Sequence, residues 1–160
     1  MNVLFDTTSG SATGRPVALN PIPAKSLKIG RNQSCPCGNW VSSSDKDLRV
    51  MNSLYKNGHY GWSLFIGHLV LEKLLKAIYV KNIDINIPFT HDLAKLSQKA
   101  GLLLTEEQKD LLDEVTTFNI KARYPDYKER FYKKATKKFA EGYITKIKDF
   151  RRWLKKRIKE

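Results

Sequence analysis

The segment Trp62–Val80 constrains this chain more than any other part of it. Its residues are apolar around most of a helical circumference, the pattern of a helix enclosed by other helices rather than one lying on a surface. The polar residues inside it fall at helical spacing. His68, Glu72 and Lys76 recur at i, i+4 and i+8 and stack along one face. The segment is not a membrane span, because a bilayer core needs about 20 residues with few or no charges. Glu72, Lys73, Lys76 and a histidine all interrupt it. A buried helix carrying a Glu and two Lys must bring them to an edge, a partner interface or a site.

Helical signals continue on both sides. Ser44 reads as an N-cap, with Asp45 and Asp47 in the first turn, where the helix dipole favours acid. Leu48, Met51, Leu54 and Tyr55 then repeat at helical spacing, and Asn57-Gly58 ends that helix. The central helix is expected over 59–81, followed by a loop over 82–90 that contains Pro88. Thr90 reads as the cap of a short helix, 91–100, with Leu93 and Leu96 inward and Gly101 past its end. Thr105-Glu-Glu-Gln108 is a capping box opening a helix to about 119, with Leu111, Leu112, Val115 and Phe118 on its inner face. Pro125 turns Tyr124 away from helical geometry. The last helix starts at 130 or 136 and runs to 158, with an apolar stripe of Phe139, Tyr143, Ile147, Phe150, Leu154 and Ile158. No strand-like alternation and no repeat interrupts the series. The fold class is all-α, a bundle of about five helices. Residues 1–40, rich in Gly, Ser, Thr, Pro and Asn, read as a disordered or irregular segment before a helical domain over 41–160.

The formal net charge is +13, and it is unevenly spread. Residues 121–160 hold 16 Lys or Arg against five Asp or Glu. Such a stripe suits a phosphate-rich partner, whether nucleic acid, a nucleotide or an acidic protein. It equally suits a solvated helix face. Tyr132, Tyr143 and Trp153 interleave with the cations, as single-stranded nucleic acid would require, although Tyr143 lies on the core stripe. Cys35 and Cys37 are a spacing that rarely makes a structural disulfide, and no secretory pattern opens the chain, so a reducing cytoplasm is expected and no membrane.

Three motifs in order carry a family resemblance. The run His68–Ala77, then His91-Asp-Leu93, then Ala122-Arg-Tyr-Pro-Asp126 resembles the signature of the HEPN family (higher eukaryotes and prokaryotes nucleotide-binding), over roughly 41–158. The resemblance implies a helical bundle and dimers. It also implies a place in toxin–antitoxin pairs, often as the companion of a minimal nucleotidyltransferase. Ribonuclease members carry a His a few residues after an Arg. Arg123 aligns with that Arg and Asp126 with an accompanying Asp, but the His positions hold Lys128, Glu129 and Arg130. The departure argues against RNA cleavage, and a toxin with an altered active site remains the rival reading.

Two readings of Arg123-Tyr-Pro-Asp126 stay open. In the first, Arg123 pairs with Glu72 or Asp126 and the turn pins the last helix. In the second, Arg123 offers a planar fork to a phosphate or nucleotide, with Lys73 and Lys76 as point charges and His68 and Glu72 in support. His68 alone reads as a core histidine, and His91-Asp92 as a cap. A nucleic-acid-binding role for the basic C-terminal helix is a further alternative. Ile29–Gly38 resembles the first half of the SEC-C zinc motif, but the chain has no third cysteine and the nearest histidine, His59, lies in the helical domain. A half-site with Cys35 and Cys37 does not complete a zinc centre, and no cofactor is expected. The central helix carries more apolar surface than four short neighbours cover easily, so a homodimer or a heteromer is expected.

Overall fold

The fold is set by where helices can start and stop. Thr105 accepts from the Gln108 backbone N–H while the Gln108 side chain accepts from the Thr105 N–H, so both orphan donors at that helix start are satisfied. Gly58 and Gly101 sit at positive φ, 80° and 75°, and end the helices that precede them. Tyr124 is extended ahead of Pro125, and the proline occupies the first turn of the next helix, where its missing N–H has no intrahelical partner in any case. The structure, a computed structural model, describes residues 36–160. Among them are six helices: α1 (Pro36–Lys56), α2 (Tyr60–Asn82), α3 (Leu93–Lys99), α4 (Glu106–Arg123), α5 (Pro125–Lys134) and α6 (Lys137–Lys159). No strand occurs among the described residues.

The all-α expectation holds, with one helix more than the sequence suggested, because the Pro125 break creates α5 as a separate element. Two capping assignments are corrected. Ser44 is not a cap. It lies buried inside α1, which starts at Pro36, and its hydroxyl donates to the Val70 carbonyl at 2.9 Å. A second buried hydroxyl, Ser63, donates to the Met51 carbonyl at 2.8 Å. These two bonds let α1 and α2 lie close without stranding a polar group. The cap of α3 is Asp92 rather than Thr90. Its carboxylate accepts from the Lys95 N–H, and the Thr90 hydroxyl accepts one step earlier, from the Asp92 N–H.

Helix α2 packs on all five other helices. Leu64, Val70, Leu71, Leu74, Leu75, Ala77 and Ile78 along it are buried within the single chain. Most of its apolar surface is therefore covered within the chain, by five neighbours rather than four, while Trp62 stays exposed. Phe118 of α4 forms the other packing centre, with ring centroids of Phe131, Phe139 and Tyr143 at 5.6, 6.3 and 5.1 Å. It ties α4 to α5 and α6. The apolar stripe of α6 faces this core, with Ile147, Phe150 and Leu154 buried. Tyr143 and Trp153 are spent on packing: Trp153 stacks on Phe150 at 5.3 Å. Neither ring is free to stack a base.

The half zinc motif falls mostly outside the described residues. Cys37 is disulfide-bonded, against the expectation from the spacing, and a disulfide sulfur is not a thiolate ligand. No group of three or more metal-ligating side chains occurs among the described residues. No described helix is long and apolar enough to cross a membrane.

Gly67 marks a close approach of α2 to its neighbours. A Cβ there would lie 2.8 Å from Ile147 Cδ1 and 3.2 Å from Met51 Sδ. Gly67→Leu is expected to destabilise the bundle by about 2–3 kcal/mol through overpacking, read as a fall in urea midpoint. Gly142→Leu, where a Cβ meets nothing within 4 Å, is the control and should leave the midpoint nearly unchanged.

Candidate functional site

The polar row on α2 finds its partners on one side of the bundle. Glu72 is only 4% exposed. Its carboxylate accepts from Lys76 Nζ at 2.6 Å and from His91 Nδ1 at 3.1 and 3.2 Å. His68 approaches from the preceding turn, with Nδ1 3.6 Å from Glu72 Oε2. The His68 ring is fully buried, and its Nε2–H donates to the His91 carbonyl at 2.9 Å. That bond fixes the proton on Nε2 and leaves Nδ1 bare and without a hydrogen bond. One carboxylate thus organises two turns of α2 and the segment that leads into α3.

The charge states follow from these contacts. Burial alone would push the Glu72 carboxyl up, but hydrogen bonds from Lys76 and His91 and the charge of Lys76 outweigh it and hold the group below its ordinary 4.5. Burial holds the His68 imidazole below its ordinary 6.5, more strongly than the bond to the His91 carbonyl and the charge of Glu72 raise it. His68 is accordingly a neutral core histidine at neutral pH.

Beside this cluster lies an open groove of about 700 Å³ between the segment before α3 and the α4–α5 corner. His91, Asn119, Arg123 and the aromatic residues Phe89, Tyr124 and Tyr127 line it. His91 presents its half-exposed ring to the groove while Glu72 holds Nδ1 from behind. Asn119 is 4% exposed, yet its side-chain amide has no hydrogen-bond partner among the described residues. Its open face is the groove it lines. Arg123, in the last turn of α4, is anchored by Nε, which donates to the Asn119 carbonyl at 3.0 Å. Its guanidinium lies over Phe65 and Tyr124, 5.9 and 6.0 Å from the ring centroids. No carboxylate pairs with it among the described residues. Phe89, Ile120, Tyr124 and Tyr127 leave an exposed apolar rim around the opening.

The residues singled out in the sequence are distributed differently from the phosphate cradle expected there. Glu72 does not pair with Arg123, because Lys76 and His91 already satisfy it. Lys73 turns to α1, where its Nζ sits 2.6 Å from Asp47 Oδ2. Lys76 is engaged by Glu72 and lies 5.4 Å from the centre of the Trp40 ring. Asp126 is the second residue of α5, and its side chain lies outside the described atoms. Of the three candidate cations, Lys73, Lys76 and Arg123, it is Arg123 that lines the groove without a carboxylate partner among the described residues. Sequence reading missed Asn119 altogether and took His91 for part of a cap. One signal did point to His91: a Glu on so apolar a helix needs a donor from elsewhere, and Thr90-His91-Asp92 is the nearest polar cluster.

The bundle has known counterparts. The family model of the HEPN domain matches residues 38–158. The crystal structure of TT1696 from Thermus thermophilus is similar in fold, with a TM-score of 0.67 and 16% identity, over 77% of this chain and 98% of that one. No curated protein matches.

The cluster predicts an acid-sensitive fold. The unfolded chain protonates the position of His68 before the folded chain does, so stability falls as pH drops below 6.5. The contribution of Glu72 is complete above 4.5 and is lost as pH falls through its lower folded value. In His68→Gln the melting temperature should hold flat to lower pH before it falls. Glu72→Gln should destabilise at neutral pH, on the order of 3 kcal/mol, by leaving Lys76 and His91 without their carboxylate. Melting curves across the pH range check both.

Proposed function

The chain belongs to the HEPN family, and on that basis we propose that it is a binding module whose groove takes a phosphate-bearing ligand, foremost a nucleotide. The observation that carries this reading is Arg123. A guanidinium held at Nε, free of any carboxylate among the described residues and set in a groove wall, is suited to an anion. The rest of the groove supplies what a nucleotide offers beyond its phosphate. Tyr124 and Tyr127 give ring faces for a base, and the Asn119 amide gives one donor set and one acceptor. His91 adds a donor or acceptor held in a fixed orientation by Glu72.

In this reading the protein acts as the companion of a minimal nucleotidyltransferase, the role that the family resemblance implies, rather than as a ribonuclease. The exposed rim of Phe89, Ile120, Tyr124 and Tyr127 supports a protein neighbour over the groove, either a second copy in a homodimer or the transferase. The missing His after Arg123 supports a binding role over RNA cleavage.

Thermal shift tests the ligand. A nucleotide at 100 times its dissociation constant should stabilise the folded form by about 2.7 kcal/mol. ATP, GTP and a short RNA are the probes. Arg123→Ala is expected to abolish the shift, whereas Lys73→Ala should lower the baseline melting temperature yet leave the shift in place, because its ammonium is committed to Asp47. No shift with any probe would overturn the reading, and so would an undiminished shift in Arg123→Ala.

A further inference from the structure

The basic excess of the C-terminal segment is sorted by the fold into spent and unspent cations. On α6, Arg151 and Lys155 both pair with Asp45 of α1, Lys155 at 3.1 Å. Those bonds tie α6 to α1 at Asp45, and next to them lies another groove, of about 320 Å³, lined by Leu48 of α1 and by Thr145, Lys148, Asp149, Arg151 and Arg152 of α6. The acid among its lining residues, Asp149, is paired with Arg152. Lys148 and Lys156 are exposed and have no carboxylate partner among the described residues. Arg49 of α1 is exposed and likewise unpaired, one turn from Asp45. The Nε of Arg151 is buried and has no acceptor.

We infer that this α1–α6 groove binds the phosphate backbone of a nucleic acid, at a surface distinct from the Arg123 groove. Lys148 and Arg152 line the groove, Arg152 also as the partner of exposed Asp149, and exposed Lys156 continues the row beyond it; at four-residue spacing the three stand about 6 Å apart along the helix axis. A row of cations at that pitch suits successive backbone phosphates. Arg151, whose guanidinium is held by Asp45, lines the same groove beside them. No exposed aromatic ring lines this groove, so the binding does not depend on base stacking. The surface therefore reads charge and backbone, not sequence. An acidic protein would present carboxylates at irregular spacing, a poorer match to a regular row. Neither helix makes the groove alone, since Leu48 lies about a hundred residues before the α6 residues that line it.

Fluorescence anisotropy of the full chain tests the inference, with labelled duplex DNA, duplex RNA and single strands across a potassium chloride series. Binding should appear with every strand type and weaken steeply with salt. Lys148→Glu/Arg152→Glu/Lys156→Glu should lose tenfold or more in affinity, and its log–log salt slope should flatten by roughly two to three on the duplexes. The charge-matched control Lys99→Glu/Lys109→Glu/Lys133→Glu, all exposed and outside the groove, should lose much less. The corresponding Gln variants repeat the comparison if reversal of charge prevents folding. Arg123→Ala should bind nucleic acid normally, which separates this surface from the nucleotide groove. Equal losses in the two triple variants would overturn the inference, as would absence of binding at low salt. So would a poly-glutamate competitor that displaces the strand as well as unlabelled duplex does.

Discussion

A buried carboxylate must be compensated or it does not stay ionised, and Glu72 is the place where this fold meets that demand. It sits at mid-length on the helix that every other element touches. Lys76 answers it from one turn above, and His91 answers from a separate segment. Because His91 is held at its ring by Glu72 and at its carbonyl by His68, the segment that leads into α3 has one position against α2. The wall of the candidate groove is that segment. An arrangement of this kind adds little net stability over an apolar replacement, but it selects one register among several that an all-Leu interface would allow.

The opposite wall is set by a different constraint. Tyr124 has to be extended because Pro125 follows it, so α4 stops at Arg123 and α5 departs in a new direction. The last turn of a helix favours a cation, and Arg123 takes that place while its Nε caps the Asn119 carbonyl. The guanidinium is thus partly anchored, which lowers the entropic cost of presenting its remaining donors to an anion. Asn119 sits one turn back with its amide unpaired, so the corner offers a charge and an amide together. Helix stop, cation and open amide follow from one proline.

Charge is used in two ways across the molecule. Acids are few, and the fold spends three of them on contacts between separate segments: Asp47 on Lys73, Asp45 on Arg151 and Lys155, and Glu72 on His91 as well as on its own-helix neighbour Lys76. Cations outnumber acids on the outer row of α6, where Lys148 and Lys156 have no carboxylate partner among the described residues, and Arg123 is left likewise at the end of α4. The net charge is a property of the composition, whereas the two basic surfaces are products of this pairing.

What the sequence determined by itself is local. The capping box at Thr105 and Gln108, the glycine stops at 58 and 101, the Pro125 break and the apolar stripe of α6 rest on interactions within a few residues, so they are legible without the fold. The bundle class follows from them, as does the enclosure of α2. The reading failed where a residue had both a local and a distant option. Ser44 looked like a cap but found the Val70 carbonyl; Lys73 looked like a phosphate ligand but found Asp47; Glu72 had Arg123 as a candidate partner but found His91. Only the tertiary structure decides such contests, because burial makes the partner that packing brings close worth more than the one that spacing suggests. The two grooves belong to the same category. One joins residues 89–92 to residues 116–127 and the other joins α1 to α6, and no pattern within either segment announces its counterpart.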